Sequence, residues 1–144
     1  MEDRRTVRRS ARRTFSELAR AALERHVPEA RGGVAVWGEK PNLGWLSWRL
    51  PDGRYVFLAL RRHLSWVTGE VGVSPVPSDL ERLPLQAAPD ETPDAAFRVR
   101  LGHLLHDEDK WWPAGSSEKE LVERLEWLAL QSRVRLNAFL RAPR

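Results

Sequence analysis

The spacing of apolar residues predicts a helix near the start of the chain. Apolar side chains recur there at the three- and four-residue intervals of one helix face: Phe15, Leu18, Ala19, Ala22 and Leu23. Pro28 and the glycine pair at 32–33 then interrupt the pattern. We therefore predict an amphipathic helix from about Arg8 to His26.

Strand patterns follow the helix. "GVAVWGEK", "LGWLSWRL" and "RYVFLALRR" are three candidate strands, and the last two flank Pro51-Asp52-Gly53-Arg54, whose Asp-Gly pair is a strong hairpin signal. Positions 55–60 are apolar on both alternations, which predicts a central strand covered on both faces. Trp45 and Trp48 alternate to opposite faces, so one indole should enter the core and the other should cover the far face.

Two more strand patterns lie further along the chain. "HLSWVTGEVGVSP" places Leu64 and Trp66 on one face, and its glycines indicate a bulge. "AAFRVRLGHLL" alternates cleanly, with Phe97, Val99 and Leu101 on one side and Arg98 and Arg100 on the other, which predicts a half-buried strand.

Residues 75–94 are the irregular part of the sequence. Five of the ten prolines fall there, and positions 78–94 carry five acids against one arginine. We predict an exposed acidic loop with one turn of helix near Asp79–Arg82, serving either as a recognition element or as a tolerated insertion.

The last element is a long helix. Ser117 followed by Glu120 matches a capping box, and an apolar stripe without Gly or Pro runs from there to Leu140. The resulting architecture is one α+β domain over 1–144: an antiparallel sheet of three to five strands with both helices packed on one face, and residues 1–13 as a basic arm.

Composition narrows the class of protein. The 144 residues are 42% hydrophobic and 31% charged, which is typical of a globular domain. No apolar run approaches the roughly 20 residues of a membrane span, and no secretory signal is visible. With no cysteine, disulfides and thiolate metal sites are excluded. We predict a cytoplasmic protein without a membrane partner, and no cofactor-binding pattern is evident.

The stretch "HLLHDEDKWW" holds the densest candidate chemistry. His103 and His106 precede the acids at 107–109, but strand alternation would place the two imidazoles on opposite faces, and no third metal ligand stands at a recognised spacing. We favour a polar strand end, with Trp111 and Trp112 packed beneath the C-terminal helix. No catalytic residue and no metal ligand is assigned.

Glu70 is the other candidate carboxylate, because it stands between two glycines in "TGEVGVSP". It is either a functional acid or an outward side chain on a twisted or bulged strand. An acid–base or metal-dependent enzyme built on Glu70, His103 and His106 is therefore retained as a second alternative function.

A partner surface is predicted on the outer face of the sheet. Arg61 and Arg62 end the central strand, and Arg98 and Arg100 would join them in one basic patch if their strands were neighbours. Exposed tryptophan and arginine dominate protein interfaces. The predicted partner-binding residues are Arg61, Arg62, Trp66, Arg98 and Arg100, with Asp90, Glu91 and Asp94 of the acidic loop.

The N-terminal arginines offer an alternative partner. Residues 1–31 contain nine arginines and five acids, and the first six arginines are Arg4, Arg5, Arg8, Arg9, Arg12 and Arg13. Such a cluster can hold phosphates. It equally suits a solvated helix start in an arginine-biased composition, since only three of the 24 basic residues are lysine.

Three stretches carry a resemblance to a known family. "SWRLPDGRYVFLALRR", "FRVRLGHLLHDEDKWW" and "SSEKELVERLEWL" follow an early helix in an order that resembles the bacterial domain-of-unknown-function family 4304, over roughly residues 14–140. The resemblance implies an α+β protein, similar in layout to the immunity proteins of toxin systems, that acts by binding another protein. The first hypothesis is a non-enzymatic protein-binding module, with a nucleic-acid-associated protein as the alternative.

Overall fold

The structure, a computed structural model, describes residues 13–141. Its helices are α1 (Phe15–His26), α2 (Pro28–Arg31), α3 (Leu101–His106) and α4 (Glu118–Arg141). Its strands are β1 (Val36–Lys40), β2 (Leu43–Arg49), β3 (Tyr55–His63), β4 (Trp66–Ser74), β5 (Leu85–Gln86), β6 (Phe97–Arg100) and β7 (Trp112–Pro113).

Helix α1 forms on the predicted apolar stripe. Thr14 Oγ1 accepts a hydrogen bond from Glu17 N at 3.2 Å, which satisfies one of the free amides of the first turn. Leu18 and Leu23 on its inner face are buried, as the sequence predicted. The described helix begins at Phe15, and the predicted start at 8–12 lies outside the described residues.

One sheet contains all seven strands described between residues 13 and 141. Its order is β1-β2-β3-β4-β6-β5, β7 pairs with Trp66 and Val67 of β4 on the same side as β6, and only the β5–β6 pair is parallel. The α+β class with an antiparallel sheet is confirmed, but the predicted limit of five strands is wrong. Two of the strands, β5 and β7, contain only two residues each, too few to show an alternation in the sequence.

The predicted hairpin joins β2 to β3. Leu50 N donates to Arg54 O at 2.7 Å, and Gly53 takes the left-handed φ of 95° that the turn requires. Strand β3 is central and is buried on both faces from Val56 to Leu60, as predicted. The indoles of Trp45 and Trp48 enter two different hydrophobic clusters on opposite faces of the sheet.

The edge pair β1–β2 is closed by tryptophan rings lying on glycines. A Cβ atom on Gly38 would lie 2.3 Å from the Trp45 indole, and a Cβ on Gly44 would lie 2.4 Å from the Trp37 ring. The two glycines therefore leave the space that the rings fill, on opposite faces of the strand pair.

Helices α1 and α4 cover one face of the sheet. They share a hydrophobic cluster with β2, β3, β4 and β6, in which Leu125, Leu128 and Leu136 of α4 are buried. Strand β4 passes close under α4 at Gly69, where a Cβ would lie 2.2 Å from Ser132 Oγ. This face is the main core of the protein.

The irregular segment 75–94 covers the second face. Leu80 and Leu83 are fully or nearly fully buried there against Leu43, Trp45 and Phe57. The expected helical turn is a 3-10 turn at Leu80–Arg82, capped by Asp79, whose Oδ1 accepts from Glu81 N at 2.9 Å. The prediction of a wholly exposed loop is therefore wrong for its first half, because two spaced leucines are enough to anchor it to the sheet.

The segment predicted as one long strand at 95–105 changes type at Leu101. Strand β6 ends at Arg100, and helix α3 continues to His106. A Cβ on Gly102 would lie 2.4 Å from Lys110 N, so the returning chain packs directly on the helix backbone. Asp107 then ends α3 with a left-handed φ of 57°.

Helix α4 begins as the capping box predicts. Ser117 Oγ accepts from Glu120 N at 3.1 Å, while Glu120 Oε2 accepts from Ser116 N at 2.6 Å, one residue before the expected partner. Within residues 13–141, no helix combines the length and the apolar character needed to cross a membrane.

Candidate functional site

A carboxylate is buried in the middle of the sheet. Glu70 lies on β4, opposite Ala59 of β3 and Arg100 of β6, and its exposed fraction is 0%. Directly paired residues of antiparallel strands point to the same face, so Glu70 shares a face with Arg61, Arg98 and Arg100. That face is the second face, opposite the two long helices.

Three arginines saturate this carboxylate. Arg61 donates to both of its oxygens, from Nε to Oε2 at 2.7 Å and from Nη2 to Oε1 at 3.2 Å. Arg98 Nη1 donates to Oε1 at 3.0 Å, and Arg100 Nε donates to Oε2 at 3.1 Å. An ionised carboxylate has about four acceptor positions, and all of them are used here. We call Glu70 with these arginines the ionic cluster.

The arginines keep Glu70 ionised despite its burial. Burial alone raises the pKa of this carboxyl group, but the hydrogen bond and charge of Arg61, with Arg98 and Arg100, outweigh it and lower the pKa below its ordinary value. The carboxylate in turn raises the pKa of Arg61. Glu70 is therefore a fixed negative charge.

Outer acids complete the charge balance of the ionic cluster. Arg61 also donates to Glu81 of the 3-10 turn, and Arg100 Nη1 donates to Asp109 Oδ2 at 2.8 Å. Arg98 Nε donates to Leu83 O at 3.0 Å. The three arginines thus tie the second-face segment and the α3–β7 loop to the sheet.

This geometry leaves Glu70 no acid–base role. Every oxygen position accepts from arginine, and the side chain is out of reach of solvent. The alternative interpretation of Glu70 as an outward acid is also wrong, because its side chain is buried. The strand has no bulge there, since β3–β4 pairing is continuous from Tyr55–Ser74 to His63–Trp66. The carboxylate organises the arginines.

The predicted basic patch forms differently from what the sequence indicated. Strands β3 and β6 are not neighbours, since β4 lies between them. Arg98 is buried, and the guanidinium groups of Arg61 and Arg100 are mostly covered because they turn towards Glu70. Arg62 alternates to the other face, where its Nε donates to Leu64 O at 2.9 Å. These arginines therefore do not present one open basic surface.

An apolar surface is exposed at the end of the sheet beside the ionic cluster. Leu64 at the β3–β4 turn is 77% exposed and Trp66 is 47% exposed. Trp111 lies beside Trp66, half-buried, with Arg100 stacked 5.0 Å from its ring centroid and His63 6.4 Å away edge-on. We call His63, Leu64, Trp66 and Trp111 the aromatic surface. Trp66 is the only predicted contact residue that belongs to it.

The two rings of the Trp111–Trp112 pair point to different sides. Trp112 is buried and packs 5.4 Å from Trp127 of α4, as predicted. Trp111 instead faces the ionic cluster, because neighbouring positions of a strand alternate. The expectation that both rings lie beneath the C-terminal helix is therefore half correct.

The acids predicted as contact residues in the loop do not belong to the aromatic surface. Asp90 Oδ1 accepts from Thr92 N at 2.9 Å, and this hydrogen bond lowers the pKa of Asp90. Glu91 and Asp94 are exposed in the same turn-rich stretch. They remain predicted contact residues for which the structure shows no built site.

The histidines at 103 and 106 are helical, not on a strand as predicted. His106 is exposed and its ring lies 6.2 Å from that of Trp112. Across residues 13–141 there is no group of three or more His, Asp or Glu side chains placed to hold a metal ion. Glu70, enclosed by its arginines, does not join the histidines.

Most of the N-terminal arginine cluster lies outside the described residues, namely Arg4, Arg5, Arg8, Arg9 and Arg12. Arg13 is described, and its Nη2 pairs with Glu118 Oε1 at 3.1 Å between two exposed side chains. The alternative nucleic-acid hypothesis therefore stays a prediction.

The sequence missed two residues that define the site. The alternation predicts Leu64 as part of a strand, but it lies at a turn with a left-handed φ of 55°. The composition predicts Glu81 as part of an exposed acidic loop, but its carboxylate accepts a hydrogen bond from Arg61. No local signal distinguishes either residue, since both roles arise from long-range placement.

No protein-family model, curated protein or solved structure matches this chain. The resemblance to family 4304 is accordingly neither supported nor contradicted, and it stays a prediction.

Proposed function

We propose that this chain is a non-enzymatic protein-binding domain that acts in the cytoplasm and neutralises a partner protein by covering its active surface. The aromatic surface would supply the contact. Tryptophan and other large apolar side chains contribute most of the energy of protein interfaces when they become buried. Toxin neutralisation or another defence-associated role is the setting that we propose.

The observation that carries this proposal is the conformation of Leu64. Its φ of 55° is one that leucine rarely adopts and that glycine or asparagine adopts easily. Its side chain is also 77% exposed, where a polar residue would be better solvated. A leucine at this turn suits neither the backbone nor the solvent, which favours a role in contacting another molecule.

The surroundings would hold this surface ready for binding. Arg62 Nε donates to Leu64 O, and Ala114 N donates to Ser65 O at 2.8 Å, so β7 supports the turn. Trp111 is fixed by Arg100 and by Asp109, whose Oδ1 accepts from its Nε1 at 3.1 Å. A surface that is already ordered loses little conformational entropy on association.

The charge beside the aromatic surface favours a basic partner. Asp107, Glu108 and Asp109 are exposed in the loop that leads to Trp111. Acidic groups at the rim of an interface guide a partner of opposite charge and fix its orientation. The proposed partner is therefore a protein whose active surface is rich in lysine or arginine.

Replacement of Leu64 by asparagine tests the proposal. The wild-type chain is used to capture proteins from a lysate of the source cell. The captured proteins are identified and purified, and their affinities for the wild type and the variants are measured. We expect Leu64→Asn to weaken the partner at least about tenfold, as for an interface anchor. The same change should leave the free energy of unfolding unchanged or raise it by about 1 kcal/mol, because it relieves the left-handed strain.

Val134→Asn is the matched control, because Val134 is an apolar residue of α4, 47% exposed, and α4 covers the face of the sheet opposite the aromatic surface. Its loss should leave the partner affinity unchanged, and Trp66→Ala should weaken it. A purified partner that binds Leu64→Asn and Trp66→Ala as tightly as the wild type would overturn the proposal. So would the absence of any captured protein whose affinity depends on these two residues.

A further inference from the structure

A pocket opens in the aromatic surface between its two indoles. It has a volume of about 370 Å³ and is lined by His63, Trp66, Asp109 and Trp111. Trp66 is 47% exposed, so the pocket is reachable from solvent. Its lining combines two indoles, one imidazole and one carboxylate.

This combination of side chains suits an organic cation. The face of an indole ring is negative and attracts an ammonium group, and tryptophan does so more strongly than other aromatic residues. Asp109 adds a formal negative charge at the pocket wall. An anionic ligand would meet the same ring faces and the same carboxylate unfavourably.

The protein itself already places a cation on one of these rings. The Arg100 guanidinium carbon lies 5.0 Å from the centroid of the Trp111 ring. The indole N–H of Trp111 donates to Asp109 Oδ1. This hydrogen bond to a carboxylate increases the electron density on the face of the ring. Trp111 therefore already acts as a cation–π acceptor in this fold.

The other charged groups near the pocket leave room for a positive ligand. Arg100 is shared between Glu70 and Asp109, and Arg62 is directed to Leu64 O. Lys110 lies over a different ring, with Nζ 5.8 Å from the Trp112 centroid. Asp107 and Glu108 are exposed in the adjoining loop and add negative charge.

We propose that this pocket binds an alkylammonium group, and that the group is a lysine side chain of the partner protein. The inference rests on the protein-binding function proposed above and assigns its recognition chemistry. The same chemistry is offered by a free quaternary ammonium compound, so the two sources have to be separated by experiment.

Matched pairs of charged and neutral probes test this inference. Choline is compared with its neutral isostere 3,3-dimethylbutan-1-ol, and N-acetyl-lysine methylamide with N-acetyl-norleucine methylamide. Binding is followed in the full chain by the NMR signals of the tryptophan indole N–H groups. We expect each cation to bind about tenfold or more tightly than its neutral counterpart, and to shift the signals of Trp66 and Trp111.

Variants locate the binding. Trp66→Ala, Trp111→Phe and Asp109→Asn should each weaken lysine-derivative binding several-fold, while Val134→Asn should leave it unchanged. Equal binding of the charged and neutral probes overturns the inference, and so does the absence of binding by either cation. Binding of choline without binding of the lysine derivative overturns the assignment to a protein side chain and indicates a free small cation.

The outcomes also separate this inference from the proposed function. If the cations fail to bind while the partner affinity still depends on Trp66 and Leu64, the protein-binding function stands and the lysine assignment is wrong. If the cations bind while no partner depends on those residues, the pocket chemistry stands and the proposed function is wrong.

Discussion

Glu70 is the residue on which the second face of the sheet depends. Removing a buried charge from water is unfavourable unless it is paired and hydrogen-bonded, and four arginine hydrogen bonds satisfy that condition here. The reverse also holds, because without the carboxylate three largely covered guanidinium groups would face each other.

We expect Glu70→Gln to lower the free energy of unfolding by about 3–5 kcal/mol, the loss typical of removing one partner from a buried ion pair. The amide would also turn a donor towards arginine donors. Chemical denaturation measures the change. Glu24→Gln is the control, since Glu24 pairs with Arg20 at 2.7 Å on the exposed side of α1 and should lose no more than about 0.5 kcal/mol.

The pH dependence of the free energy of unfolding provides a second test of the role of Glu70. The folded-state pKa of Glu70 lies below the ordinary 4.5, so its stabilising contribution is present above about pH 4.5 and is lost as the pH falls through the folded-state pKa. The stability gap between wild type and Glu70→Gln should therefore shrink at acidic pH. A gap that stays constant would contradict the assignment of Glu70 as an ionised centre.

At the scale of elements, the contact between α4 and β4 is set by small residues. Gly69 has no side chain where the helix crosses, and Ser132 above it is fully buried. Among the described residues, the hydroxyl of Ser132 has no hydrogen-bond partner. The close approach of helix and strand thus leaves one polar group unsatisfied.

A double-mutant cycle tests this contact. Gly69→Ala should lower the free energy of unfolding by about 1–3 kcal/mol, because its Cβ would lie 2.2 Å from Ser132 Oγ. Ser132→Ala should be neutral or stabilising by about 1 kcal/mol.

In the double variant the nearest remaining atoms would be Leu128 O at 3.5 Å and the β-carbon of residue 132 at 3.6 Å, which are ordinary contacts. The second change should therefore rescue the first. The stability of all three variants is measured by thermal denaturation. If the effects of the two single changes simply add in the double variant, the clash lies elsewhere.

At the scale of the whole molecule, the sheet has two cores. The helices bury one face, and the segment 75–94 buries the other through Leu80 and Leu83. Arg61 and Arg98 fasten this segment by polar contacts to Glu81 and to Leu83 O. The segment is therefore part of the folded structure, although its proline content is typical of a loop.

Leu83→Ala should consequently lower the free energy of unfolding by about 2–5 kcal/mol, as for a leucine removed from a packed core. Leu85→Ala is the control two positions away, because Leu85 is 44% exposed and its loss should change stability by no more than about 0.5 kcal/mol. Equal effects of the two changes would mean that the second core contributes little.

Elements whose signals are local could be predicted from the amino-acid sequence. Three features are encoded by residues close together in the sequence: the apolar stripe of α1, the capping box of α4 and the Asp-Gly hairpin. The structure contains all three. The burial of β3 on both faces could also be predicted, because its apolar residues are consecutive and do not alternate with polar ones.

The pairing of the charged residues could not be predicted, because it depends on the folded arrangement of the strands. Arg61, Arg98 and Arg100 stand 9, 28 and 30 positions from Glu70, and no periodicity connects them. Their meeting depends on strand order, which places β4 between β3 and β6. Strand order is fixed by which faces pack together across the whole chain. A local pattern of apolar and polar residues therefore does not predict it.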